Sequence, residues 1–240
     1  MVYFFTKKQI FRCIIGGIIL LVLGLLIFNY LYLQPAIPTT EISPIYQGSN
    51  DKKHISFAIN VDWGEEFIPE MLSIFDQHQI RCTFFLTGRW TDKFPDIAKE
   101  ISDKSHEIGN HGYKHDSPNK MSLEEVKRDI QKTEEIIKSV TGRETKLYAP
   151  PSGEREVHVL RAAHELRYKT ILWSIDTIDW QRPQPDIIMK RILDKAHNGA
   201  IVLMHPTEPT IKALSKTITE LKNQGFIFTT VSENIDSITE

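Results

Sequence analysis

The sequence predicts an α/β fold whose parallel strands close into a (β/α) barrel. From His54 onward, short β-branched or aromatic runs alternate with longer amphipathic segments, the pattern of parallel strands joined by right-handed helical crossovers. The polar residues with chemistry to offer fall at the carboxyl ends of those runs. A barrel gathers such ends on one face, whereas an open sheet scatters the outermost of them. At 240 residues, with 41% hydrophobic and 25% charged, the chain has length for one such domain and something more.

The extra length lies at the front. Cys13 to Phe28 contains no charged or strongly polar residue, and Asn29 to Leu33 extends the run. As a helix this reaches across a hydrocarbon core of roughly 30 Å. Lys7, Lys8 and Arg12 precede the run and the next basic residue is Lys52, so the N-terminus is expected inside and the rest outside, with Tyr30 and Tyr32 at the outer interface. A cleaved signal peptide is the rival reading, but its apolar core would be shorter and "LQPAIPTT" has no A-x-A site. Residues 1–33 are thus read as a cytoplasmic N-terminus and single transmembrane anchor in the cell membrane. Residues 34–50, with three prolines and no helical period, are read as an extracellular tether. Residues 51–240 form the domain. Cys13 and Cys82 fall on opposite sides of that boundary, so no disulfide is expected. The net charge of −2 leaves no electrostatic footprint for nucleic acid.

Within the domain, seven strand-like runs stand out: HISFAINV, RCTFFLTG, HEIGNH, KLYAPP, KTILWSID, AIVLMH and FIFTTV. Six helical segments separate them, at 68–79, 94–104, 123–140, 154–166, 185–196 and 210–223. "SLEE" from Ser122 has the side chains of a capping box, and "NQG" ending at Gly225 stops the last helix.

Each polar candidate has a plain reading beside a functional one. His111 and His115 are either two imidazoles clamping a divalent ion such as zinc, or an accident of composition. Asp62 either serves chemistry or caps the first helix, and Asp176 is either functional or a turn aspartate. His54, His78, His106, His158, His164 and His197 sit in charged or helical surroundings, where solvated surface is the default. His205 is different. It ends an apolar strand before Pro206, a costly place for an imidazole without a partner.

These pieces in this order resemble the polysaccharide deacetylases with a NodB homology domain, carbohydrate esterase family 4, in the manner of their spore-associated, membrane-anchored branch. The resemblance covers about residues 54–234. "NHGYKH" matches the family's second motif and places His111 and His115 on its metal-binding histidines. Asp176, Asp179 and Trp180 match its D-x-x-D-W motif, and Leu203 with His205 matches the last motif, where the histidine is the catalytic acid. The resemblance implies a distorted barrel of seven or eight strands and a divalent metal, zinc before cobalt or nickel. It also implies hydrolysis of N-acetyl groups on cell-wall or related N-acetylglucosamine polymers. In that chemistry Asp62 takes a proton from water, His205 donates one to the leaving amine, and Asp176 orients His205. Trp180, Leu203 and Tyr148 are expected to bind substrate, with Trp90 a further aromatic candidate.

The departures define a second reading. The first motif normally has two adjacent aspartates before a glycine, a base and then a metal ligand; here the stretch is "INVDWG". In one register Asp62 is the base and Trp63 replaces the ligand. In the register of some spore-associated relatives, Asn60 replaces the base. Ala149 stands where the third motif has arginine, and Gly112 where the second has Ser or Thr. A domain with impaired catalysis that binds wall glycan or a partner protein is the alternative. The topology itself is testable: protease added to intact protoplasts is expected to digest the domain, and full protection would overturn the external placement.

Overall fold

The computed structural model describes residues 6–32 and 42–236, and the chain divides into two compact units, Met1–Glu41 and Ile42–Glu240. In the first unit the apolar run forms one helix, α1 (Lys7–Tyr32). Among the described residues, however, no helix is long and apolar enough to cross a membrane, so the expected span gains no support from the structure. The side chains of Cys13, Ile14 and Ile27 to Tyr32 lie outside the described residues, as do Leu33 and residues 34–41 of the expected tether.

The second unit is built on parallel strands β1 (His54–Val61), β2 (Thr83–Leu86), β3 (Glu107–Asn110), β4 (Leu147–Tyr148), β5 (Lys169–Thr170), β6 (Ile175–Asp176), β7 (Ala200–Met204) and β8 (Ile227–Phe228). Their order is β5-β4-β3-β2-β1-β7-β6, with β8 paired to the start of β1. Helices α2 (Ile68–Gln77), α3 (Gly88–Lys93), α4 (Pro95–Asp103), α5 (Leu123–Thr141), α6 (Val157–Glu165), α7 (Pro185–Leu193), α8 (Glu208–Asn223) and α9 (Val231–Asp236) complete it. The barrel expectation holds as a curled parallel sheet. The run KTILWSID, expected as one strand, breaks into β5 and β6, and the short α3 follows β2 where no helix was expected. Ser122 and Glu125 form the anticipated capping box on α5.

Strand β1 shows why the sheet curls around a site. Its outward residues Ile55, Phe57, Ile59 and Val61 join the large core against the helices. Ala58, on the other face, packs inside the curl with Phe85, Leu147, Ala149, Ile171 and Ile201. The two-residue period then carries this inner face upward through Asn60 to Asp62. The same parity on β7 runs Ile201, Leu203, His205. At the lower end Val231 and Ile235 of α9 close the interior.

Part of the expected tether belongs to the domain. Ile45 donates its N–H to Thr170 O at 2.8 Å and accepts from Leu172 N at 2.8 Å, and Gly48 N donates to Gly199 O at 2.7 Å. Ile45 bridges Ile171 and Gln47 bridges Ala200, so these residues fill the seam between the end of β5 and the start of β7. The backbone groups there needed partners, and the incoming chain supplies them.

His106 also departs from expectation. It is buried, with Phe75 and Phe84 rings at 5.6 and 5.3 Å, and its Nδ1 accepts from Cys82 N at 3.1 Å. Burial pushes its pKa down from 6.5 to about 4. Below pH 6.5 the unfolded chain therefore takes up a proton that the folded chain resists until about pH 4. The stability this neutral imidazole preserves is complete above pH 6.5 and lost as pH falls to 4, a change of about 3 kcal/mol. Denaturant titrations between pH 7 and 4 should show a shallower pH slope for His106→Phe than for wild type; an identical slope would contradict the assignment.

Candidate active site

At the carboxyl ends of the strands lies a cavity of about 430 Å³ lined by Asn60, Asp62, Trp63, His111, His115, Asp176, Trp180, Leu203 and His205, among others. Seven of the eight expected site residues meet here, since strand parity aims Asp62, Leu203 and His205 inward together. Tyr148 does not reach it. The ring is fully buried with Val126, Ile130 and Val159 beneath α5 and α6, and burial raises its hydroxyl pKa well above the usual value. Trp90 is likewise core, 2% exposed. Both are large aromatics on elements packed from two sides, and hydrophobic burial claims them.

The partner of His205 differs from the expected one. Asp179, wholly buried, holds the imidazole: His205 Nδ1 lies 2.8 Å from Asp179 Oδ1, and His205 N donates to Oδ2 at 2.7 Å. Thr210 Oγ1 also donates to Oδ2, at 2.7 Å. With Nδ1–H given to the carboxylate, Nε2 is the nitrogen left for chemistry. Trp63 stacks on the same imidazole, centroids 5.9 Å apart and planes within 7°.

Asp176 instead shapes the loop. Its Oδ1 accepts Ile178 N at 2.8 Å, the two-residue spacing of an Asx turn. Ile178 there is left-handed (φ 52°, ψ 33°), a conformation that costs a non-glycine residue roughly 1–2 kcal/mol. Thr177 Oγ1 donating to Leu203 O at 2.8 Å, and Arg191 donating to Thr177 O at 2.6 Å, help hold that turn. The turn brings Asp179 back beneath His205.

Asp62 is no helix cap. Thr87 Oγ1 donates to its Oδ1 at 2.8 Å and Arg89 Nη2 to its Oδ2 at 2.6 Å. Neither partner is evident in the sequence, because Thr87 and Arg89 reach Asp62 only through the pairing of β1 with β2. Asn60, two residues below, is 7% exposed and its Oδ1 has no hydrogen-bond partner. A buried amide oxygen without a partner facing a cavity is a position shaped for something else to bind.

The histidine pair meets by a loop, not by a helical turn. Gly112 (φ 74°) and His115 (φ 59°) are both left-handed, and the rings lie 5.0 Å apart at 73°. A β-carbon on Gly112 would stand 2.7 Å from Asp129 Oδ2, which accounts for glycine where a hydroxyl residue is usual. His111 Nδ1 donates to Ala149 O at 2.6 Å, leaving Nε2 as a lone-pair donor. Burial first, then the neighbouring His115, pushes its pKa down to about 3, so it stays neutral as a ligand must. Yet no group of three or more His, Cys, Asp or Glu able to hold a metal exists among the described residues. Asp62 is engaged by Thr87 and Arg89, and Glu65, Glu66 and Asp116 do not line the cavity. Two imidazoles fall one short of the three protein ligands of a catalytic zinc.

Comparison with known proteins places this geometry. The polysaccharide deacetylase family model matches residues 47–171. An uncharacterized Bacillus subtilis protein, YlxY, is 41% identical over 209 residues, covering 86% of this chain and 66% of that one. A peptidoglycan-N-acetylglucosamine deacetylase of Bacillus cereus is 34% identical over 191 residues, covering 78% of this chain and 70% of its own length. Among solved structures, a CE4 family pseudoenzyme from Bacillus anthracis superposes with a TM-score of 0.80 at 42% identity, over 82% of this chain and 70% of that one. A mutant of that pseudoenzyme has restored enzymatic activity.

The two aspartates of the D-x-x-D-W loop are expected to separate in a stability assay. Asp179→Ala leaves three donors unmet in a dry site and should cost roughly 3 kcal/mol, whereas Asp176→Ala should cost about 1 kcal/mol or less. Equal losses in urea titrations would refute the assignment of His205 to Asp179.

Proposed function

The chain belongs to the polysaccharide deacetylase family, and from that premise we propose that its pocket binds N-acetylglucosamine polymers of the cell wall and hydrolyses their N-acetyl amides. The observation that carries this reading is His205, held by Asp179 with Nε2 free, in one cavity with Asp62, His111 and His115. A water attacking the acetyl carbonyl gives up its proton to Asp62, and protonated His205 donates from Nε2 to the departing amine; the products are acetate and a free aminosugar. Trp180, 53% exposed, and the buried Leu203 both line the pocket, an aromatic and an apolar surface suited to a sugar ring. Zinc, with cobalt or nickel as alternatives, would meet only the two imidazoles of His111 and His115. These two residues do not make a complete site.

A second reading has its own observations. Asp62 already accepts a hydrogen bond on each oxygen, and Asn60 presents an amide where one register expects a carboxylate. The structural likeness to a pseudoenzyme agrees. On this reading the domain retains glycan binding and has lost efficient turnover. We further propose that α1 anchors the protein in the cell membrane with the domain outside; the apolar run and the basic residues before it support this.

Acetate release from N-acetylglucosamine oligomers decides between the readings. Under the first, wild type releases acetate, and Asp62→Asn or His205→Ala lowers the rate by about 10²–10⁴-fold. Under the second, wild type is silent and Asn60→Asp gains activity. An active wild type indifferent to Asp62→Asn would exclude Asp62 as the base.

A further inference from the structure

At the amino-terminal ends of the strands lies a cavity of about 380 Å³, lined by Arg81, His106, Glu107, Arg143, Glu144 and Lys146, among others. Arg81 stands two residues before β2, His106 just before β3 and Lys146 just before β4. The candidate active site lies at the other end of the same strands, and the two cavities share no lining residue. The volume is that of a small-molecule site, for which roughly 300–1,000 Å³ is usual.

His106 sets the demand for a ligand. It is 6% exposed, and its Nδ1 accepts the Cys82 N–H at 3.1 Å, so in the neutral ring the proton sits on Nε2. That buried N–H has no hydrogen-bond partner among the described residues. An unmet buried donor costs about 1–3 kcal/mol, and this one belongs to the wall of a cavity able to admit an acceptor. The charges around it select an anion. Glu107 Oε2 is taken by Thr83 Oγ1 at 2.6 Å and Ser232 N at 3.2 Å. Glu144 pairs with Lys138 at 2.8 Å and stands 3.7 Å from Lys146, too far for a hydrogen bond to that lysine. Among the described residues no carboxylate pairs with Arg143, whose Nε donates to Ser102 Oγ at 3.4 Å. Arg143 and Lys146 are exposed, so the cavity runs from mobile cations at the mouth to a fixed donor within. A guanidinium fork, an ammonium and an imidazole N–H are the donors a phosphate takes.

We propose that this cavity binds a phosphate group, free or on a small ester, with His106 Nε2–H as the buried donor and Arg143 and Lys146 supplying the charge. The site is independent of the glycan reading. Its test is a titration of the full chain in detergent, at constant ionic strength, with inorganic phosphate, glycerol phosphate and chloride, read by calorimetry and by the His106 imidazole nitrogen resonances. Either phosphate is expected to shift the Nε2 signal saturably, and chloride is not. Tighter binding of glycerol phosphate would assign an ester, and equal or tighter binding of inorganic phosphate the free ion. Arg143→Gln, an exposed change that leaves the core untouched, should weaken binding at least about tenfold, as the loss of charge-assisted hydrogen bonds allows. Arg143→Lys should keep part of the affinity, and His106→Phe should abolish the saturable heat. The absence of saturable binding, a shift that chloride reproduces, or an affinity indifferent to Arg143→Gln would overturn the site. Displacement of the phosphate by an N-acetylglucosamine oligomer would place it in the other cavity and overturn the proposal equally.

Discussion

No part of the Asp179 side chain reaches solvent, so its two oxygens must be satisfied by the protein alone. One takes the His205 ring nitrogen, the other the His205 backbone and the Thr210 hydroxyl. Those donors come from the end of β7 and the first turn of α8. The carboxylate therefore ties a strand, a helix and its own loop to one point. The strained Ile178 and the Asx turn at Asp176 exist to deliver Asp179 to that point. Low dielectric makes the arrangement strict, because a missing partner there costs far more than at the surface.

The opposite wall is looser. Asp62 is met by Thr87 and by Arg89, whose side chain is half exposed, and Asn60 keeps an unpartnered oxygen. The chain thus preserves one half of a hydrolytic site to full hydrogen-bond closure and leaves the other with an amide and a shared carboxylate. Arg89 supplies a cation that Ala149 cannot, but from the start of α3 instead of from the residue after β4. His111 gains a different benefit from Ala149, whose carbonyl fixes its tautomer; a backbone oxygen does this whatever the side chain.

Much of this was legible in the sequence. The alternation of runs and amphipathic segments predicts the parallel sheet because burial on two faces demands apolar strands. Period-two spacing places Asn60 with Asp62 and Leu203 with His205. What spacing cannot carry is which of two aspartates, three residues apart, holds His205; that depends on a left-handed isoleucine, which no propensity favours. Tyr148 and Trp90 are ambiguous for a related reason, since an aromatic in a sequence looks the same whether it packs or stacks. Thr87 and Arg89 carry no signal in the sequence because their contact with Asp62 crosses between strands. The seam residues look like a tether because proline-rich composition reports the absence of a helix, not the absence of a partner.

That seam has a practical consequence for anyone dissecting the molecule. A fragment begun at Asp51, where composition alone draws the border, would strip Ile45, Gln47 and Gly48 from Ile171, Ala200 and Gly199. Backbone donors and acceptors now paired would then face water along an apolar rim. Such a rim is a template for self-association. Insolubility of that fragment would report on the cut rather than on the fold, and a faithful piece has to begin ahead of Ile45.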